Sequence, residues 1–204
     1  RFVQDAWLEP AVRDVVDPVV EQIVAAVEQS YLESTVQTLE DFGTRHSEYA
    51  GGIQAMNWIR DQFLAYGYLD VVLHDYNSWS DNVVCTKPGA AQPDKVVVIG
   101  GHYDSTSYDG YTNAPGADDN ATGTACVLAA AQAFADHSFE YTVVFIAFSG
   151  EEQGLVGSEA WASLAQDQGL DIVGMINLDM LGYRAAGDAA IRLGIETPET
   201  STIM

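Results

Sequence analysis

Five side chains in this sequence have the types and spacing to do chemistry: His102, Asp118, Glu151, Glu152 and Asp179. Each stands where a strand-like run gives way to a loop. Four of them are groups that bind a hard-to-borderline divalent metal. One member of the pair Glu151–Glu152 is then left over to act as a base. That is the inventory of a hydrolytic metal site, with zinc the favoured ion. No histidine follows His137, which leaves the set one ligand short.

The individual roles follow from elementary chemistry. A neutral imidazole ligates zinc once its other nitrogen donates to an acceptor, and Asp104, two residues after His102, offers a carboxylate for that purpose. A carboxylate has two oxygens and can bridge two metals; Asp118 is placed for this. Asp118 and Asp119 are adjacent acids, and both can point inward only with unusual backbone geometry. A strained or cis peptide is therefore expected there. Glu151 and Glu152 point to opposite sides of an extended segment, so one can hold metal while the other holds a proton. A divalent cation lowers the pKa of a coordinated water toward neutrality, and a nearby carboxylate takes the proton.

These residues need elements to hold them. Before residue 67 the chain reads as helix. Asp17–Pro18 is a cap followed by a first-turn proline, and Val19, Ile23, Val24, Val27, Tyr31 and Leu32 then recur at helical spacing. Gly43 follows a helical stretch that runs through Leu39. Gly51–Gly52 opens another helix, with Ile53, Met56, Ile59, Phe63 and Leu64 on one face and Gly67 after its end. Beyond Gly67 the texture changes. Residues 69–76 and 82–86 alternate as strands and are close enough to form a hairpin. Residues 95–100 and 141–148 are continuous apolar runs, the mark of strands buried on both faces. Residues 121–135 and 155–166 read as helices, 172–178 as a strand, and 190–195 as the start of one more. The alternation predicts an α/β fold: a mixed, mainly parallel central sheet with helices on both faces and an N-terminal helical segment. In such sheets ligands gather at the carboxyl ends of the strands. His102, Glu151–Glu152 and Asp179 end three separate strands, and Asp118 lies on the loop after the first.

Composition narrows the function. A chain of 204 residues, 48% hydrophobic, can bury a real core. With 30 acidic residues against 8 basic ones its net charge is −22, and only Lys87 and Lys95 are lysines. That field repels nucleic acid and anionic membrane surfaces and attracts cations. It also fits a solvated surface in a salty medium. No apolar stretch is long enough to span a bilayer. The start at Arg1–Phe2 fits a processed mature form or a trimmed chain. Cys85 and Cys126 read as two buried free thiols; a disulfide would need them to be neighbours in space. His46, His74 and His137 read as surface or capping residues, while Tyr108 and Tyr111, on the loop between His102 and Asp118, are placed to border a cleft.

The motifs together resemble a known family. GGHYDS at 100–105, APGADDNATG at 114–123, FSGEEQGLVGS at 148–158 and NLDM at 177–180 are similar to the secreted di-zinc aminopeptidases of the bacterial leucyl aminopeptidase type. FGTRHS at 42–47 is similar to that family's entry segment. The likeness runs from about residue 35 to 183. It implies a zinc exopeptidase catalytic domain over 35–204; residues 1–34 match no motif of the family and read, from their spacing, as an N-terminal helical arm. It implies a secreted enzyme that removes N-terminal, often apolar, residues from peptides and proteins. It implies His102 and Asp179 on one zinc, Glu152 on the other and Asp118 bridging. Glu151 is then the general base, Asp104 the partner of His102, Asp119 the residue after a cis peptide, and Met180 a neighbour of the apolar side-chain pocket.

The chain departs from the family after NLDM. Family members continue with more sheet, a His for the second zinc, an oxyanion-stabilising Tyr and much of the specificity pocket. The expectation is a fragment or incomplete chain. One zinc position keeps His102, Asp118 and Asp179; the other keeps Asp118 and Glu152 alone. One zinc is therefore expected here in place of the family's two. A shortened sheet would also expose an apolar edge and invite self-association. Two alternatives stand beside the aminopeptidase. A catalytically inactive binding or assembly domain is favoured by the missing His and opposed by the intact Glu151 and His102. A carboxypeptidase-type amidohydrolase needs basic residues for the substrate carboxylate, and this chain has few, with Arg45, Arg60 and Arg184 the only interior candidates.

Overall fold

The computed structural model describes residues 16–183. Three helices come first: α1 (Pro18–Ala25), α2 (Gln29–Glu40) and α3 (Ala50–Ala65). Asp17 caps α1 as its type predicts, its Oδ1 accepting from the Val19 amide at 2.8 Å. α2 crosses the boundary drawn after residue 34, and its second half buries Thr35 and Leu39, so that half belongs to the core. Gly67 follows α3 in the left-handed conformation, with φ of 91°.

The strands are β1 (Asp70–His74), β2 (Asn82–Lys87), β3 (Gln92–His102), β4 (Tyr141–Phe148) and β5 (Asp171–Asn177). Their order in the sheet is β1-β2-β4-β3-β5. β1 and β2 form the expected antiparallel hairpin, and β2 pairs antiparallel with β4. β3 lies between β4 and β5 and runs parallel to both. Only β2 therefore opposes the common direction. The chain crosses between parallel strands through α4 (Gly123–Phe134) and α5 (Val156–Gln168). α4 starts two residues later than its apolar pattern, because a wide distorted turn, Ala117–Thr122, precedes it. In that turn Asp119 and Asn120 leave helical dihedrals, and the peptide bond between them is cis. The cis bond thus follows Asp119 and does not precede it.

Strand alternation divides the core in two. Val143, Phe145 and Ala147 of β4 face α3 and α4, where Ile59, Phe63, Val127, Leu128 and Ala131 complete one layer. Val144, Ile146 and Phe148 face α5 and pack with Val96, Val98, Trp161 and Ala165. Cys85 is buried, Cys126 is half-buried, and both are free thiols. Among the described residues no helix is long and apolar enough to cross a membrane. The strand expected over 190–195 and the candidate Arg184 lie outside the described residues.

Candidate metal centre

Three strand ends meet at one edge of the sheet. β3 ends at His102, β4 leads through Ser149–Gly150 to Glu151–Glu152, and β5 leads through Leu178 to Asp179. Gly150 has φ of 72°, and a Cβ there would lie 2.7 Å from the Tyr76 hydroxyl, so glycine is favoured at this turn.

His102 is buried and tethered on one side. Its Nδ1 donates to the Asp104 backbone carbonyl at 3.2 Å, with the Asp104 carboxylate at 3.5 Å. Nε2 is left facing the opening. Within reach are Asp119 Oδ1 at 3.2 Å, Asp179 Oδ1 at 3.6 Å and Glu151 Oε2 at 3.9 Å. Asp104 is fully buried and spans the site: one carboxylate oxygen accepts from the Glu151 amide and the other from the Glu152 amide, each at 3.2 Å. One residue therefore orients the imidazole and holds the Glu–Glu turn.

Asn120 does the same for the other side. Its Nδ2 donates to the Leu178 carbonyl at 2.9 Å, and its Oδ1 accepts from the Gly123 amide at 2.9 Å and the Met180 amide at 3.2 Å. The Leu178 amide donates to the Gly100 carbonyl at 2.8 Å. Asp179 is thereby locked to the turn that carries Asp119. A Cβ on Gly123 would lie 2.2 Å from the Leu178 carbonyl oxygen, which explains why glycine opens α4. Asn120 was not singled out from sequence, although it stands inside the ADDN run.

The structure separates the adjacent acids. Asp119 joins His102 and Asp179, and donor atoms of the three lie within 4.8 Å of one another. Asp118 turns away: its Oδ1 accepts from the Gly182 and Tyr183 amides at 2.7 and 3.0 Å. Asp119, and not Asp118, therefore stands with His102 and Asp179. The distorted turn sends consecutive side chains in different directions, so one-residue resolution depends on its dihedrals. Met180 is exposed beside Asp179 with φ of 52°, a costly conformation for a large side chain. His46 lies closer to the site than its surface reading implies. It stacks on Tyr49, with ring centroids 4.6 Å apart, and its Nε2 is 3.4 Å from the Gln153 amide nitrogen. Tyr49 in turn stacks on Tyr111, and Tyr108 and Tyr111 are exposed.

The donors fit a divalent metal. A tetrahedral ion with nitrogen and oxygen ligands at about 2.0–2.1 Å sets those ligands about 3.3 Å apart. The separations from Nε2 to Asp119 and Asp179, 3.2 and 3.6 Å, bracket that value. Asp119 and Asp179 are 49% and 41% exposed, so an ion can enter. Charge points the same way. Burial lowers the His102 pKa, but the Asp104 hydrogen bond and the Asp104, Glu151 and Asp179 charges outweigh it and hold the imidazole proton up to about 9. Burial, with Asp119 and Asp104 nearby, lifts Glu152 to about 7. Burial also raises Glu151, against the pull of His102. The carboxyls of the cluster hold protons because they are partly buried and then because they crowd one another, and a cation would displace those protons.

Among the described residues the two arginines already have partners. Arg45 is fully buried on backbone carbonyls, and Arg60 pairs with Asp61 at 2.7 Å on α3.

Comparison with known proteins gives the family. A protein of Phaeosphaeria nodorum named a probable zinc metalloprotease is 35% identical over 213 residues, covering 84% of this chain and 42% of its own length. A similarly named protein of Pyrenophora teres is 34% identical and is covered over 46% of its length. The chain thus spans less than half the length of these curated relatives. The crystal structure of LapB from Legionella pneumophila superposes with a TM-score of 0.72 at 27% identity, over 83% of this chain and 48% of LapB. The aminopeptidase of Aneurinibacillus sp. strain AM-1 shares the fold, with a TM-score of 0.68 at 19% identity over 82% of this chain and 74% of that one. The model of peptidase family M28 matches residues 82–202, the stretch that holds every strand end described above, and the chain belongs to that family.

Proposed function

We propose that this chain carries the zinc site and general base of an aminopeptidase that removes apolar N-terminal residues from peptides. One observation carries the reading: His102, Asp119 and Asp179 converge on one point with a Glu151 oxygen 3.9 Å from the imidazole Nε2.

His102, Asp119 and Asp179 would hold the ion, and Glu152, whose neighbours are Asp119 and Asp104, borders a second position. Zinc, when bound, supplies a Lewis acid that polarises the scissile carbonyl and acidifies water. Glu151 takes the proton from the attacking water and returns it to the leaving amine. Its raised pKa brings it nearer the working pH, which suits a carboxylate that must both accept and give. Asp104 fixes the base by holding the Glu151 amide and fixes the ligand by orienting His102. Met180 stands beside Asp179, where an apolar substrate side chain would lie. The net charge of −22 favours a cationic peptide N-terminus over an anionic C-terminus. Arg45 is spent on backbone carbonyls and Arg60 pairs with Asp61 on α3, so neither supports the carboxypeptidase reading.

The test is metal content together with release of an N-terminal leucine chromophore, for the protein and for Glu151→Gln. The expected result is bound zinc in both and a loss of about 10²–10⁴-fold in kcat for the variant. Turnover unchanged in Glu151→Gln would overturn the assignment of the base. A protein that binds no zinc would overturn the reading as a whole.

A further inference from the structure

Arg45 is the largest fully buried side chain among the described residues. Among those residues it pairs with no carboxylate. Its guanidinium instead reaches four backbone carbonyls. Nε donates to Tyr103 at 2.7 Å, one terminal nitrogen to Leu39 at 3.0 Å and Pro115 at 2.5 Å, and the other to Gly116 at 2.8 Å. Four of the five N–H donors of an arginine are thereby used, in a fork whose directions are fixed. Burial lowers its pKa to about 10, against the opposing pull of Asp104, Glu40 and Asp119, so it remains charged.

The positions of the acceptors matter more than their number. Tyr103 lies between His102 and Asp104. Pro115 and Gly116 lead into the turn that carries Asp119. The main chain repeats the connection: the Arg45 amide donates to Ser105 Oγ at 3.1 Å, and Ser105 Oγ donates to the Ala114 carbonyl at 2.6 Å. Residues 103–116 thus leave β3 and return to the metal site clamped at both ends by one side chain and one hydroxyl. Fixing that span fixes how far His102 stands from Asp119.

We propose that Arg45 is a positioning residue of the metal centre: with Ser105 it sets the separation of the His102 arm from the Asp119 arm, and so sets metal affinity without touching metal or substrate. This rests on the reading of His102, Asp119 and Asp179 as the metal ligands. A lysine keeps the charge but presents its donors from one point and cannot span carbonyls on both arms.

The experiment measures zinc affinity by chelator competition, and thermal unfolding of the metal-free protein, for wild type, Arg45→Lys, Ser105→Ala and Tyr68→Phe. Tyr68 is the control, a buried hydroxyl that donates to the Ala131 carbonyl at 2.8 Å and ties no site loop. Arg45→Lys is expected to weaken zinc binding about 10- to 100-fold, the range for residues that orient ligands. Ser105→Ala should weaken it in the same direction by less. Tyr68→Phe should lose stability and keep its zinc affinity. Arg45→Lys and Ser105→Ala with lowered stability but wild-type affinity would overturn the proposal. Should Arg45→Lys not fold, Ser105→Ala alone decides, since it cuts the same clamp without disturbing a buried charge. Wild-type protein that takes up no zinc overturns the functional reading and this inference together. Wild-type protein that binds, with variants that bind equally well, overturns this inference only.

Discussion

β4 and β5 are written in the same apolar alphabet and have opposite fates. β4 pairs on both edges, with β2 and β3, and helices cover it on both faces; Val143 through Phe148 are all buried. β5 pairs with β3 alone among the described residues, and its Val173, Met175 and Ile176 are exposed. Among the described residues, then, the number of neighbours a strand has sets how much of the same apolar composition is buried. The same contrast divides the metal centre. His102, at the end of an inner strand, is buried and held through Asp104 and the Arg45 clamp. Asp179, at the end of β5, is 41% exposed and depends on Asn120 and the Leu178–Gly100 hydrogen bond. One wall of the site is set by the core; the other is pinned by a few polar ties.

The contrast can be broken most directly by truncation. Ile146→Ala on β4 is expected to cost about 2–5 kcal/mol, because the residue is fully buried and leaves a cavity. Ile176→Ala on β5, at 47% exposure, should cost about 1 kcal/mol or less. Urea unfolding of both variants measures the difference, and equal costs would show that β5 is as well packed as β4 in solution. Next in size is the comparison of the neighbouring acids. Asp119→Asn should weaken zinc binding by more than about 100-fold, beyond the range for outer partners, while Asp118→Asn should leave it near wild type. The reverse order, read by chelator competition, would return the ligand role to Asp118.

A smaller effect is expected from pH. In the metal-free protein His102 holds its proton to about 9 against 6.5 for a free imidazole, so the stability it contributes is full below 6.5 and lost as pH rises through about 9. Glu152, lifted from 4.5 to about 7, makes folding less favourable as pH rises through that interval. Both act in one direction, so the melting temperature of the metal-free protein should fall between pH 6 and 9. Zinc binds as those protons leave, and its stabilisation should grow over the same range. A metal-free protein whose melting temperature is flat there would disprove the crowding of charge at the site. The smallest shift is expected from salt. With a net charge of −22, screening should raise the melting temperature by a few degrees from low to molar potassium chloride.

Much of this molecule is legible in its residues. The helical spacing of Ile59 and Phe63, the apolar runs that became β3, β4 and β5, and the hairpin of β1 and β2 all follow from periodicity and local length. Strand order does not. β4 enters between β2 and β3, although the chain makes it after both, because pairing across long separations is settled by which faces the crossover helices can cover. The positions of Glu151–Glu152, His102, Asp104 and Asp179 are legible for the same reason as the strands: each stands at or soon after the end of a readable run. Asp118 and Asp119 are not separable in sequence. Both are acids on one loop, and only the dihedrals of the turn decide which carboxylate points at His102. Arg45 is the clearest case. Its type alone fits a surface charge or a grip on a substrate carboxylate. Its actual role depends on four carbonyls, three of them from a loop nearly sixty residues or more away in the chain. By itself, then, the sequence determines the elements and the chemical inventory, because these depend on side-chain type and short-range periodicity. Only the tertiary structure decides strand order, which acid faces His102 and what the buried arginine holds, because those depend on contacts the chain makes with distant parts of itself.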